Sequence, residues 1–451
     1  MNKRLITIIC TAIAGTCIHA ENKETAKTGW NFGPLPAVSY SSDFGFQYGA
    51  LCDIYYYGDG STYPHYMHKF NVEISAYTKG CQNFHADFDS KHLIPGIRFS
   101  TSVSYFANKT SPFYGFNGAG SLYIKELDKI ARDTDFAPDG TAFYLMRRDV
   151  FRALALFQGK IGSSNWGWAA GATFWNFRTD EAKSKSITQG TPSLFNLYAA
   201  NGILPENELS GGSHLELRGG FVYDTRDHEN NPSRGTNLEA YLYGSYDFIQ
   251  SRNNYLKMAV HFKQFHTLVP EKLILGYHIA YQGLIAGKAP FYSLPVIQVL
   301  NMKQINTEGL GSVVTMRGTV ANRLLGDSYA WANLELRYNF LRFDWIGQHW
   351  ILALNPFVDA GYVARQYRQK EIIAAAENPA NKALKLFTID GKDYSVSDVL
   401  HTGSKERLHF SSGAGLHLIM NHNFNVNIEI AKVFDSNDGS TGMNIGLNYI
   451  F

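Results

Sequence analysis

The chain has 451 residues, and its 41 Lys and Arg nearly balance its 39 Asp and Glu. The basic residues are scattered singly and form no stripe, which argues against a nucleic-acid partner. A mean hydropathy of −0.21 excludes a helical membrane protein, whereas 27 Tyr, 30 Phe and 41 Gly suit strands with aromatic girdles and tight turns.

The apolar run Leu5 to Ala14 follows Lys3 and Arg4 and precedes small residues. It predicts a secretory signal peptide over residues 1–20, cleaved after Ala20. Residues 21–35 then form a short periplasmic segment, and residues 36–451 form one outer-membrane barrel. The barrel expectation rests on alternating segments about ten residues long, the length at which tilted strands cross the apolar layer. In the first part these are a short strand near Ala37 to Tyr40, then 44–57, 67–79, 81–89, 96–106, 141–158 and 165–178. They continue as 213–223, 236–247, 254–268, 272–286, 328–340, 349–363, 407–420, 423–433 and 441–451. Long connections at about 107–140, 179–212, 287–326 and 364–405 alternate with short ones such as Val269 to Glu271 and Met420 to Asn423. Short turns on one side and long loops on the other describe an all-β transmembrane antiparallel β-barrel of about fifteen or sixteen strands. Cys52 and Cys81 survive cleavage in a compartment that allows disulfides, and their spacing leaves both a bridge and two thiols open.

Two strands place carboxylates on their polar faces. Ala330, Ala332, Leu334, Leu336, Tyr338 and Phe340 make one apolar face, so Glu335 points the other way with Asn333 and Arg337. The next strand sets Asp359 beside Asn355, Phe357 and Gly361, opposite Leu352, Leu354 and Val358. Two acids facing one way call for a cation, and a planar guanidinium can serve both. Arg317, in a stretch without strand pattern, is the candidate. The last segment sets Met443, Ile445, Leu447, Tyr449 and Phe451 on one face, expected to meet lipid.

No Gly-x-Ser-x-Gly elbow, His-Glu-x-x-His helix or Walker loop occurs, so no enzymatic activity, cofactor or metal is expected. His214, His261, His278, His409 and His417 read as lumen or interface side chains. The basic loop from Ala364 to Ser404 is a candidate contact for outer-membrane lipid and lipopolysaccharide phosphates.

Met316-Arg317-Gly318, Leu334-Glu335-Leu336-Arg337 and Phe357-Val358-Asp359-Ala360-Gly361 together resemble the bacterial surface antigen superfamily of outer-membrane protein assembly factors and two-partner-secretion transporters. Tyr223-Asp224-Thr225-Arg226-Asp227, followed by Pro232 and Gly235, is similar to that family's strand-turn-strand signature. The aromatic usually following Arg-Gly is Thr319 here. The resemblance implies sixteen strands and a long loop folded into the lumen, its Arg317-Gly318 tip latched by Glu335 and Asp359 near Gly361. Asn444, Gly446, Tyr449 and Phe451 look like the terminal-strand signal read by the barrel assembly machinery during biogenesis. No segment long enough for the family's periplasmic transport-associated domains precedes the first strand, so a barrel-only member is expected. Its implied role is to move or insert protein or lipid with a separate periplasmic or lipoprotein partner, bound near the turns Asp224 to Arg234 and Leu341 to Gln348. Two alternatives are a passive or gated channel with a loop plug and a structural docking barrel.

Overall fold

A computed structural model describes residues 27–451, apart from 64, 129–141, 183–191, 230, 247–253, 301–307, 346–347, 421–423, 448 and 450. The expected signal peptide lies outside the described residues. The first eight strands are β1 (Trp30–Ser41), β2 (Gly45–Tyr56), β3 (His68–Tyr77), β4 (Cys81–Ile94), β5 (Ile97–Pro112), β6 (Leu145–Lys160), β7 (Trp166–Glu181) and β8 (Gly211–Asp224). They continue as β9 (Gly235–Ser245), β10 (Tyr255–Val269), β11 (Leu273–Gly287), β12 (Ser328–Trp345) and β13 (Gln348–Arg365). A short hairpin, β14 (Lys385–Ile389) with β15 (Lys392–Ser395), stands apart before β16 (His409–Met420), β17 (Phe424–Val433) and β18 (Thr441–Leu447). All but the hairpin close into one antiparallel barrel of sixteen strands among the described residues, each paired with its sequence neighbours and β1 with β18.

Closure follows from the solvent, because an open sheet edge in lipid leaves backbone donors and acceptors unpaired. Alternation sorts the side chains. On β12, Leu334 and Tyr338 are exposed, whereas Trp331, Asn333, Glu335 and Arg337 are buried. On β17, Ile428 and Ile430 face out while Asn425, Asn427 and Glu429 face the lumen. The apolar exterior is the lipid surface of a membrane-spanning barrel. A row of rings runs across β1 to β6, with Trp30 packed on Tyr56 and Phe70 at 4.8 and 6.0 Å and then Phe70–Phe88, Phe88–Phe99 and Phe99–Phe157 at 4.7, 6.2 and 5.0 Å. Trp30 and Tyr56, the amphipathic rings of the row, suit the headgroup layer.

The first strand is longer than its sequence pattern suggested. β1 begins at Trp30, inside the stretch expected to be a periplasmic segment, and runs through Pro34 and Pro36 with every residue paired to β2. Prolines are strand breakers only where their missing N–H would have been used. Cys52 and Cys81 are both free thiols.

The lumen is filled from one end. The described residues of the loop between β11 and β12, 288–300 and 308–327, descend into the barrel and are buried at Phe291, Leu294, Ile297, Met316 and Leu324. The loop carries the short helix α2 (Ser312–Thr315), which follows α1 (Leu194–Ala200) in the β7–β8 loop. The β13–β16 loop holds α3 (Gln369–Glu377), α4 (Pro379–Ala383), the β14–β15 hairpin and α5 (Val396–Leu400), the last closed by a capping box between Ser395 and Asp398. These loops and the β5–β6 loop share an apolar core in which Phe116, Phe143, Tyr198, Ile372, Phe387 and Leu400 are buried. They make a packed cap over one end of the barrel.

Candidate functional site

The inner loop is pinned in the lumen by one arginine. Arg317 donates through Nη2 and Nε to the two oxygens of Asp359 on β13 at 2.8 and 2.9 Å. Its Nη1 donates to Glu335 on β12 at 2.8 Å and to Glu429 on β17 at 3.0 Å. The backbone N–H of Arg317 adds a third bond to Asp359 at 3.0 Å. The guanidinium lies flat on Phe357, 3.3 Å from the ring centroid. Arg317 is 2% exposed, and Glu335 and Asp359 are fully buried. A planar fork meets three acids at fixed angles, and charge-assisted bonds of this kind are the strong ones.

Alternation in β12 and β13 aims Glu335 and Asp359 at this point, and the structure brings Arg317, Glu335 and Asp359 together. Glu429 and Phe357 completed the site without having been singled out. The same period-two pattern on β17, Asn425, Asn427, Glu429, carried the signal for the third acid. Asn333 locks the arrangement by donating to Thr315 O at 2.8 Å and to Asp359 at 2.9 Å.

Two glycines are needed for this fit. Gly318 has φ +88°, and a Cβ there would lie 3.1 Å from Ala431. Gly361 makes room for the loop, since its Cβ would meet the Met316 sulfur at 2.2 Å. Beyond the tip, Thr319 forms a bridge with Gly439 of the β17–β18 loop. Arg323 ties the inner loop to the cap through Ser121 Oγ at 2.6 Å and Gly118 O at 3.1 Å. Near the β1–β2 turn, Asp43 accepts from Ala321 N–H at 3.2 Å. Burial and the neighbouring Asp43 carboxyl push the Glu308 carboxyl up to about 7.

The strand-turn residues form a separate, exposed structure between β8 and β9. Arg226 donates to both oxygens of Asp224, at 3.0 and 2.7 Å. Asp227 accepts from the backbone N–H groups of Ser233 and Arg234 at 2.9 and 3.3 Å. Gly235, at φ +107°, passes where a Cβ would strike Thr225 O at 2.4 Å. Pro232 lies within this turn, and Tyr223 packs on Trp166 at 5.1 Å.

The last segment departs from expectation. Asn444 and Gly446 belong to β18, and Leu447 faces lipid. Tyr449 and Phe451 do not continue the lipid face. Tyr449 is buried and stacks on His417 at 4.2 Å, and Phe451 lies against Phe265 and His278 at 5.9 and 5.5 Å. Alternation predicts a side only while a strand stays on the wall, and here the chain turns inward after Leu447. Arg337, itself bonded to Glu335 at 3.1 Å, receives the segment by donating to Phe451 O at 3.0 Å.

No curated protein sequence matches the chain. Among solved structures, the barrel is similar to BamA from Haemophilus ducreyi lacking POTRA domains 1–3, with TM-score 0.54 and 13% identity, covering 94% of this chain and 71% of that one. It is also similar to CdiB from Escherichia coli, with TM-score 0.54 and 9% identity, covering 95% of this chain and 64% of that one. The chain therefore spans less than two thirds of the length of that CdiB. Residues 175–451 match the model of the Omp85 superfamily domain, and with the closed sixteen-stranded barrel they establish that the chain belongs to the Omp85 superfamily of Gram-negative outer-membrane proteins.

Proposed function

We propose that this barrel moves or inserts polypeptide at the outer membrane through the seam between β1 and β18, working with a separate periplasmic partner. The observation that carries the reading is the weakness of that seam. Among the described residues, β1 and β18 share two paired positions, Tyr40 with Ile445 and Ser41 with Asn444, where β1 and β2 share twelve and β17 and β18 share seven. Ser42 adds one backbone bond to Met443 at 3.0 Å. A ladder so short is the cheapest place to part a closed barrel, and parting it exposes backbone groups able to pair with another chain.

A route straight through the lumen has less support. The inner loop is bonded to the wall at Arg317, and the cap above it buries its own apolar core. A passive channel would need both to move, whereas the seam needs only a few backbone bonds to break. The turn from Asp224 to Arg234, with its rigid Asp227 network, is the proposed landing point for the partner, together with the β12–β13 turn.

The test is a reversible lock. Ser41→Cys with Asn444→Cys, in a background where Cys52 and Cys81 are Ser, should form a bridge across the seam. Photo-crosslinkers on β1 should then capture nascent outer-membrane polypeptides from cells only after reduction. Equal capture in the oxidised and reduced states would remove the seam as the route, and high conductance of the oxidised barrel in planar bilayers would favour the channel.

A further inference from the structure

The placement of Tyr449 and Phe451 inside the barrel poses a question of preference, because a wall position is available in principle. Continuing the seam register from Tyr40↔Ile445, four residues further along each strand, would set Tyr449 opposite Pro36, and six further would set Phe451 opposite Pro34. In an antiparallel strand, alternate residues turn their N–H and C=O toward opposite neighbours. Here the odd-numbered residues of β1 serve β2, as the bond from Tyr57 N to Gly29 O at 3.0 Å shows. The even-numbered ones serve the seam, as Ser42 N donating to Met443 O shows. Pro34 and Pro36 are therefore both turned to the seam, and both lack the donor it would need. Their pairing with β2 is untouched for the same reason.

The lumen offers what the wall withholds. Arg337 lies over Tyr449 with its guanidinium 3.7 Å from the ring centroid and over Phe451 at 5.4 Å. It is fully buried and donates to Phe451 O at 3.0 Å. His417 stacks on Tyr449 from the opposite side of the seat, and Phe265 and His278 pack on Phe451. Gly276 leaves the floor open, since a Cβ there would come within 3.4 Å of the Phe451 ring. A cation over aromatic faces in a dry site is a favourable contact, and two rings two residues apart meet it together.

We propose that Arg337, His417, Phe265 and His278 form a built seat for an aromatic-x-aromatic strand end, occupied by Tyr449 and Phe451, and that Pro34 and Pro36 deny that segment the barrel wall. The seam is short because of two sequence features at once, one that draws the segment in and one that blunts the edge it leaves. The seat is joined to the inner loop as well. Glu335 gives one oxygen to Arg317 at 2.8 Å and the other to Arg337 at 3.0 Å, so the loop tip and the segment share a single carboxylate.

Two crosslinks report the two positions in full-length protein in outer membranes, with Cys52 and Cys81 replaced by Ser. Benzoylphenylalanine in place of Phe451, which keeps an aromatic ring there, crosslinks on irradiation to β10 and β11 beside Phe265 and His278 when the segment is seated, and Ala37→Cys with Asn448→Cys bridges only when the register runs on along the wall. With the prolines present, the lumen crosslink should form and the wall bridge should not. Replacing Pro34 and Pro36 by Val should raise the yield of the wall bridge at least several-fold. Arg337→Met or His417→Ala should each lower the yield of the lumen crosslink several-fold, with unheated gel mobility confirming a closed barrel. A wall bridge forming readily in the proline-bearing protein would overturn the proposal, and so would a lumen crosslink unaffected by both seat variants. Either result leaves the seam-lock experiment to be judged on its own, because that lock uses only the pair at Ser41 and Asn444.

Discussion

Arg317 answers three acids with one positive charge, so its loss strands more than it removes. Breaking a buried ion pair costs about 3–5 kcal/mol, mostly from the partner left unpaired. Arg317→Ala should therefore loosen the inner loop while the barrel stays inserted, read as faster backbone hydrogen exchange within residues 288–327. Arg317→Lys should restore protection only in part, since an ammonium lacks the planar fork. Unchanged protection in Arg317→Ala would show that the cap alone holds the loop. Glu308 makes a different forecast. Burial, and then the Asp43 carboxyl, push its carboxyl from the ordinary 4.5 up to about 7. Between those values the folded protein holds a proton that the unfolded chain has released, so stability falls as pH rises through this window and the cost is complete above about 7. Glu308→Gln should flatten that dependence and raise the heat-modification temperature at pH 8, and an identical pH profile in the variant would contradict it. At this scale the sequence was informative where alternation was unbroken. Glu335 and Asp359 were legible from their own strands. Glu429 sits on an equally regular strand far along the chain, and no local pattern says which distant strand a guanidinium will also reach. Phe357 was visible as a lumen-facing ring, but its stacking on Arg317 depends on how deep the loop descends.

Elements were legible in proportion to their regularity. Strands β8 to β13 stand close to where the alternating pattern put them, and β1 was recognised only over its last residues. Pro34 and Pro36 read locally as the end of structure, and only the identity of the neighbouring strand makes them tolerable. The reverse holds at the other end, where a well-alternating run from Met443 to Phe451 leaves the wall after Leu447. Gly318 tests how the loop tip is built. Its φ of +88° costs a side chain about 1–2 kcal/mol, and the Cβ would press on Ala431 at 3.1 Å. Gly318→Ala should lower hydrogen-exchange protection of the inner loop without altering strand content by circular dichroism. Protection equal to wild type would mean that the tip is free to adjust.

For the whole molecule, a closed ladder with a plugged and capped lumen has a clear signature. The protein should fractionate with the outer membrane and migrate faster unheated than boiled, because mild detergent leaves the ladder intact. A soluble fraction with unchanged mobility would remove the barrel. Single-channel conductance should be low in wild type and stay low in Arg317→Ala, because the cap over the lumen has its own core. It should rise when residues 288–327 are deleted together with the cap residues 369–400. High conductance in Arg317→Ala alone would assign the seal to the inner loop. The alternation of apolar strand faces and of short turns with long loops pointed to the compartment class from sequence, whereas the cap was invisible as such because its loops pack on one another across long sequence separations.

The ring row that ends at Trp30 bears on a problem of alignment. With two paired positions, the seam by itself could slip, and sliding by two residues would displace one edge by about 7 Å along the wall. Trp30 packs on Tyr56 at 4.8 Å and on Phe70 at 6.0 Å, and it remains 54% exposed at the rim. The indole thus works as a depth gauge for the β1 edge of the seam. Any vertical slip of β1 would pull it from the headgroup layer into hydrocarbon or water. A seam weak enough to part can still close again in the same register, because its level is set by the membrane surface and not by its own few bonds.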